Sequence, residues 1–158
     1  MRELIKNTQI VQALAPLSVS TVTPDYVSLK NYQHLTALIS LTCSTGVAAC
    51  AVTLKQATDV AATDEKALGF DYVWKNENIT AETLTKTAVT SDTFSSTANL
   101  NEKLFVIEVD SDTLDVDGGF DCVRVALADA AATVASVVYV LSQPRFINDT
   151  THVASITD

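Results

Sequence analysis

The 158-residue sequence predicts an all-β protein, an antiparallel β-sandwich with a jelly-roll-like pair of sheets and extended N- and C-terminal arms. Three observations predict this fold class. Apolar residues recur at every second position in several segments, as they do in half-buried strands. Threonine and valine, which favour strands, are among the commonest residues. No helical segments alternate with the strand candidates, which disfavours a parallel doubly wound sheet.

The first predicted hairpin lies in the N-terminal third of the chain. His34–Cys43 has apolar residues on one parity, with Leu38 as the exception, and Cys50–Lys55 repeats the alternation after a turn at Gly46. We expect these two strands to pair with each other across that turn.

Later strands are predicted from the same alternation. Four are well marked: Leu68–Lys75, with Phe70, Tyr72 and Trp74 on its core-facing parity, Leu104–Val109, Cys122–Leu127 and Val134–Leu141. The last of these is apolar at almost every position, which predicts a strand covered on both faces. Weaker strand candidates are Val19–Thr23, Tyr26–Leu29 and Thr87–Phe94.

Little of the chain is predicted to be helical. Ile79–Lys86 fits a short helical turn, with Asn78 or Thr80 as its cap. Glu3–Leu14 fits a helix only in part, and Pro16 would end such a helix.

The chain is predicted to hold one domain between two tails: an N-terminal arm over residues 1–18, a β-sandwich over residues 19–146 and a C-terminal tail over residues 147–158. Both tails carry apolar residues, such as Ile10 and Ile156. We expect them to contact neighbouring subunits, with frayed ends as the alternative. Deleting Met1–Leu17 is therefore expected to leave a folded sandwich that attaches less well to its partner.

Charge and hydropathy exclude several classes of function. With 19 acidic and 10 basic residues the net charge is −9, which disfavours nucleic-acid binding. The longest apolar-rich stretch, Val134–Leu141, is too short to span a membrane, so no membrane partner is predicted. No basic segment precedes an apolar core and a small-residue cleavage site, so no secretory signal is predicted.

The residue types that usually carry chemistry form no recognised motif. Cys43, Cys50 and Cys122 lack CxxC spacing and are expected to be small buried residues in a reduced compartment, with a Cys43–Cys50 bond as the alternative. His34 and His152 lack metal-ligand spacing, and neither a GxSxG elbow nor a Gly-rich phosphate loop is found. We therefore predict no catalytic, cofactor-binding or metal-binding residues, no cofactor and no enzymatic activity.

The acidic segment Glu108–Asp121 has two interpretations. We predict a solvated loop with a hairpin turn at Asp117–Gly119, which joins the strands at Phe105 and Val123. An ordered cation site is the alternative, because Asp-x-Asp spacing occurs twice in the segment.

Aromatic and basic side chains on two strands are further candidates for a binding role. Phe70, Tyr72 and Trp74 are predicted to pack in the core rather than to line a sugar-binding platform. Arg124 is expected to point away from the core, where it meets acids of the adjacent acidic segment or of another subunit. A simple surface ion pair is the alternative for Arg124.

Several sequence fragments follow one another in a recognisable order. They are NTQIVQALAP at Asn7–Pro16, the extended stretch Asp25–Tyr32, the strand LTALISL, the unit Leu54–Ala57, Val123–Val125 before an Ala-rich turn and a Val-rich strand, and Pro144–Arg145. Over residues 7–146 this organisation resembles small virion proteins of tailed bacteriophages, the head decoration or cement proteins.

The resemblance implies an all-β fold and a structural, non-enzymatic role, with no individual functional residues carried over. It implies a location on the capsid surface of the virion after synthesis in the host cytoplasm, the major capsid protein as partner, and a homo-oligomer, either a dimer or a trimer. A shell makes this role effective, because many copies multiply each weak contact. The alternative is a tail- or fibre-associated β-sandwich module that binds a host glycan.

Overall fold

Strands make up most of the regular structure. The computed structural model describes residues 4–18, 23–43, 49–99, 101–128 and 133–146. The strands are β1 (Thr8–Ser18), β2 (Val27–Ser28), β3 (Tyr32–Cys43), β4 (Ala51–Ala57), β5 (Lys66–Ala67), β6 (Tyr72–Asn76), β7 (Thr85–Ala88), β8 (Thr93–Ser95), β9 (Lys103–Asp110), β10 (Cys122–Leu127) and β11 (Thr133–Pro144). Short 3-10 helices span Leu4–Asn7, Ile79–Ala81, Ser111–Thr113 and Val116–Gly118. The predicted all-β class is confirmed.

The strands form two antiparallel sheets that pack against each other. The six-stranded sheet has the order β1-β11-β3-β9-β6-β7. The five-stranded sheet has the order β2-β10-β4-β5, with β8 also paired to β4. The predicted antiparallel β-sandwich is therefore confirmed, while its jelly-roll form stays a prediction.

One hydrophobic core fills the space between the sheets. The six-stranded sheet contributes Leu35, Ala37, Ile39, Leu41, Phe105, Ile107, Val137, Tyr139 and Leu141, and the five-stranded sheet contributes Val27, Val52, Leu54, Val123 and Val125. Phe94 of β8 meets Phe105 of β9 edge to face, with ring centroids 5.1 Å apart, and so links the two sheets. The alternation predicted for β3, β4, β9 and β10 is confirmed, with one parity of each strand in this core.

Both predicted hairpins are wrong. β3 and β4 lie in different sheets, and so do β9 and β10. The turn at Gly46 lies outside the described residues, whereas Asp117–Gly119 belongs to a connection that crosses from one sheet to the other. Alternation shows which side chains face the core, but it does not show which strands pair. Two strands that are adjacent in the chain can face the same core from opposite sheets.

The predicted strand Leu68–Lys75 is wrong in its extent and in its core-facing parity. The strand begins at Tyr72, and Val73 is its fully buried residue, so Tyr72 and Trp74 lie on the outward side and are partly exposed. Phe70 precedes the strand and packs edge to face on Phe94 at 6.2 Å. The non-strand residues before Tyr72 break the period of two, so the parity of Leu68 cannot be carried into β6.

Much of the predicted N-terminal arm belongs to the sandwich. Thr8–Ser18 forms β1 and pairs with β11 at the edge of the six-stranded sheet. Extra residues between Gln12 and Leu14 and between Leu14 and Leu17 form bulges, and Ala13 and Leu14 are both buried in the core. The expectation that these residues lie outside the core is corrected, because short bulges let an irregular apolar sequence pair as an edge strand.

The weaker sequence assignments have mixed outcomes. Val27–Ser28 is the only strand within Tyr26–Leu29, and Thr87–Phe94 holds parts of two separate strands, β7 and β8. Most of Val19–Thr23 lies outside the described residues. The predicted helical turn is a single 3-10 turn, whose Thr80 backbone N–H donates to the Asn78 side chain. The partial helix predicted near the N-terminus is restricted to Leu4–Asn7.

Candidate interaction surface

The outward side of the six-stranded sheet carries an apolar row. Val138, Leu38, Val106 and Trp74 lie directly opposite one another on the adjacent strands β11, β3, β9 and β6, and all four are partly exposed. Ile10, Leu104 and Val140 flank the row, and we call these seven residues the apolar face. Outward positions of a solvated antiparallel sheet are usually polar. Core packing therefore does not account for the apolar face.

Strand β11 shows why this surface is unusual. Its sequence predicts a strand covered on both faces, yet the buried residues all lie on one parity: Thr133, Ala135, Val137, Tyr139 and Leu141. The other parity is partly or fully exposed, and it includes Val134. A strand that is apolar on both faces but covered on one is typical of a sheet that meets another macromolecule.

Aromatic residues lie at one end of the apolar face. Tyr72 and Trp74 pack edge to face with ring centroids 6.5 Å apart. The Lys86 Nζ lies 3.6 Å above the centroid of the Tyr72 ring, so a cation occupies one side of that ring. The outward position of Tyr72 and Trp74 contradicts the prediction that they pack in the core, whereas Phe70 packs against the core as predicted.

Polar and charged groups border the apolar face on another side. His34 lies on the outward side of β3, and its Nδ1 lies 2.7 Å from Asp110 Oδ1. The Tyr72 hydroxyl donates to Glu108 Oε2 at 3.2 Å. An apolar centre with a polar rim is the usual composition of a protein interface. The second histidine, His152, lies outside the described residues.

A charged network occupies the outward side of the five-stranded sheet. Glu65 accepts hydrogen bonds from Lys55 Nζ at 2.5 Å, from the Tyr26 hydroxyl at 2.7 Å and from Arg124 Nη2 at 2.6 Å. Burial opposes ionisation of Glu65, but these three donors outweigh it and lower its pKa from 4.5 to about 2. Arg124 faces away from the core as predicted, but its partner is Glu65 rather than an acid of the Glu108–Asp121 segment.

The acidic segment contains two 3-10 turns and an ion pair. Lys66, which lies on β5, forms an ion pair with Asp115. This contact and a hydrogen bond from the Gly118 backbone N–H lower the pKa of the Asp115 carboxyl. Among the described residues, no group of three or more His, Cys, Asp and Glu side chains is placed to hold a metal ion. The described structure therefore offers no donor set for the alternative of an ordered cation site.

Two of the three cysteine side chains are described, and both are buried. The Cys50 thiol lies 3.5 Å from the carbonyl oxygen of Ala128. Burial, with a contact to Asp121, raises the pKa of the Cys122 thiol to about 12, so this thiol stays protonated and unreactive at neutral pH. The Cys43 side chain lies outside the described residues, so the alternative Cys43–Cys50 bond stays a prediction.

The sequence contains a signal for the apolar face. Leu38 breaks the alternation of β3, and the outward positions of β9 and β11 hold Leu104, Val106, Val138 and Val140. Apolar residues on both parities of three strands indicate a second covered face once those strands are known to be neighbours. Glu65 had no such signal, because a single acid in a polar loop resembles any solvated residue.

No protein-family model, curated protein or solved structure matches the chain. Within the described residues, no helix is long and apolar enough to cross a membrane.

Proposed function

We propose that this protein is a structural virion protein that decorates a tailed-phage capsid and stabilises the shell by bridging major capsid subunits. The apolar face carries the proposal, because it is an apolar sheet surface with polar groups along one side and suits a protein partner. On this proposal, the apolar face binds the outer surface of the assembled major capsid protein. Each contact can be weak, since one subunit that touches two capsomers gains from effective concentration.

The strand order supports the proposal at the level of fold. β1-β11-β3-β9 faces β2-β10-β4-β5, so the first four strands of the chain alternate between the two sheets, and so do the last three. Jelly rolls have the same alternation, which supports this form of the sandwich, with β6 and β7 as an added pair at one edge. Jelly rolls recur in viral capsid domains and in lectins. The support is an analogy of fold, because one fold serves many functions.

Co-sedimentation with empty, mature capsids of the source phage tests the proposal. We expect saturable binding at a fixed ratio to capsid subunits, and a higher melting temperature of the saturated shell. Leu38→Lys places a charge at the centre of the apolar face and should weaken binding by at least about tenfold. Val116→Lys is the matched control, because Val116 is 62% exposed in the connection between β9 and β10. Absence of saturable binding by the wild-type protein, or equal binding by the two variants, would contradict the proposal.

Binding of a host glycan by a tail- or fibre-associated module is the second candidate. Tyr72 and Trp74 favour it, because both rings lie on the outward side of the sheet. Their edge-to-face packing and the Lys86 ammonium over Tyr72 leave less open ring surface than a stacking platform provides. Trp74→Ala distinguishes the candidates: it should abolish glycan-array binding if this module is a lectin, whereas capsid binding depends on the whole apolar face.

A further inference from the structure

The edge strand β1 pairs with another described strand along one side only. β1 pairs with β11, and no other described strand pairs with it. Its first half, Thr8–Gln12, pairs in regular register without a bulge. The second half is irregular, because two bulges and Pro16 interrupt it and the Ala13 carbonyl accepts from the Asp25 backbone N–H. The segment suited to further strand pairing is therefore Thr8–Gln12.

This edge lacks the usual protection against pairing with another chain. Proteins commonly block exposed edges with charged side chains, prolines or bulges. Thr8–Gln12 contains none of these, and Lys6 is the one charged residue between Leu4 and Ser18. The chain as a whole has a net charge of −9. Two copies can approach along β1 without bringing acidic side chains of this segment together, because it has none.

Exposed apolar residues lie at both ends and at the centre of this edge. Leu4 and Ile5 are 64% and 55% exposed at the N-terminal end, and Leu17 is 46% exposed at the C-terminal end beside exposed Pro16. Ile10, at the centre of Thr8–Gln12, is 45% exposed. Such a distribution is self-complementary about a two-fold axis, because the axis places the N-terminal end of one strand beside the C-terminal end of its copy.

We propose that two copies of this chain associate through antiparallel β1–β1 pairing about a two-fold axis at Ile10. Ile10 then faces its own copy, and Thr8 faces Gln12 of the second copy. Leu4 and Ile5 of each copy reach the exposed apolar residues around Pro16 of the other. The pairing joins the two six-stranded sheets edge to edge. It places Ile10 of each apolar face at the axis and leaves the other six residues of each face free on one side of the joined sheet.

Charge substitution tests the interface. Sedimentation equilibrium of the full chain without any capsid should give a monomer–dimer equilibrium, and Ile10→Lys should raise its dissociation constant by at least about tenfold, because two ammonium groups would face each other on the axis. Ile79→Lys is the matched control, since Ile79 is 44% exposed and lies beyond β6 at the opposite side of the sheet. A wild-type monomer at millimolar concentration, or equal effects of the two substitutions, would overturn the proposal.

Cysteine cross-linking tests the register. Facing residues of an antiparallel pair have Cα atoms about 4.5–5.5 Å apart, which a disulfide spans. Ile10→Cys should therefore yield a disulfide-linked dimer under mild oxidation. Gln12→Cys lies on the same face, but the two copies of residue 12 would be about 13 Å apart and should not cross-link. Cross-linking of Gln12→Cys in preference to Ile10→Cys, or of neither beyond the wild-type level, would overturn the proposed pairing. Neither test uses a shell, so either outcome is independent of capsid decoration.

Discussion

The Glu65 carboxylate shows how one side chain can hold a loop on a sheet. Residues 58–65 follow β4. Glu65 accepts hydrogen bonds from Lys55 on β4 and from Arg124 on β10, two adjacent strands of the five-stranded sheet. Its side chain is 22% exposed, so solvent screens these ion pairs only in part. A carboxyl whose pKa is lower in the folded than in the unfolded protein stabilises the fold while it is ionised.

Glu65→Gln should therefore destabilise the protein in a pH-dependent way. The folded pKa of about 2 lies below the ordinary 4.5, so the stabilisation is present above about pH 5 and is lost as the pH falls towards 2. We expect a loss on the order of 2 kcal/mol at neutral pH in urea unfolding, and almost none near pH 2. Asp64→Asn, at the exposed neighbouring residue, is the control and should change little. A loss that is independent of pH would contradict this account.

Tyr139 links the two sheets through its hydroxyl. The Val125 backbone N–H on β10 donates to the Tyr139 hydroxyl at 2.8 Å, and the hydroxyl lies 3.2 Å from the Asp25 carbonyl oxygen, to which it donates. Tyr139 is fully buried, and β2 pairs with β10 only at Cys122 and Val123. The Tyr139 hydroxyl thus accepts a hydrogen bond from the Val125 backbone N–H, which lies beyond the end of the β2–β10 pairing.

Tyr139→Phe should cost about 1–3 kcal/mol, because it leaves the buried N–H of Val125 without its acceptor. Chemical denaturation measures the loss. Tyr72→Phe serves as the control, since its hydroxyl meets Glu108 on the partly exposed outward side and should contribute less than about 0.5 kcal/mol. Equal losses in the two variants would show that the buried hydroxyl is not important for stability.

At the scale of the element, β1 contributes to the core despite its edge position. Leu14 is 3% exposed beside a bulge, whereas Leu17 on the same strand is 46% exposed. Leu14→Ala should lower the free energy of unfolding by about 2–4 kcal/mol, while Leu17→Ala should change it by less than about 0.5 kcal/mol. Thermal unfolding of both variants checks this, and similar melting temperatures would mean that β1 is not part of the cooperative unit. Deleting Met1–Leu17 is accordingly expected to destabilise the sandwich.

The elements also show what the sequence can and cannot predict. Alternation located β3, β4, β9, β10 and β11 and the two parities of the first four of them, because burial on one face imposes a period of two. It assigned the wrong neighbours to β3 and β9, because pairing depends on contacts distant in the chain. The apolar face became visible only when the sheet order placed Leu38 between Val106 and Val138.

At the scale of the whole molecule, we propose two surfaces of the sandwich for assembly. The apolar face suits a broad partner, and the edge of β1 suits a second copy. The edge of β1 lies away from the strongest concentration of acids, the Glu108–Asp121 segment, whereas the apolar face meets this segment at its border, where Glu108 and Asp110 bind Tyr72 and His34. A net charge of −9 keeps free subunits apart until such contacts form.

Electron cryomicroscopy of empty, mature capsids saturated with the protein tests the central claim most directly. The account predicts added density over the capsomers, with the six-stranded sheet nearest the shell and Leu38, Val106 and Val138 against the major capsid protein. Capsids without added density, or a sandwich that contacts the shell through its five-stranded sheet, would contradict it.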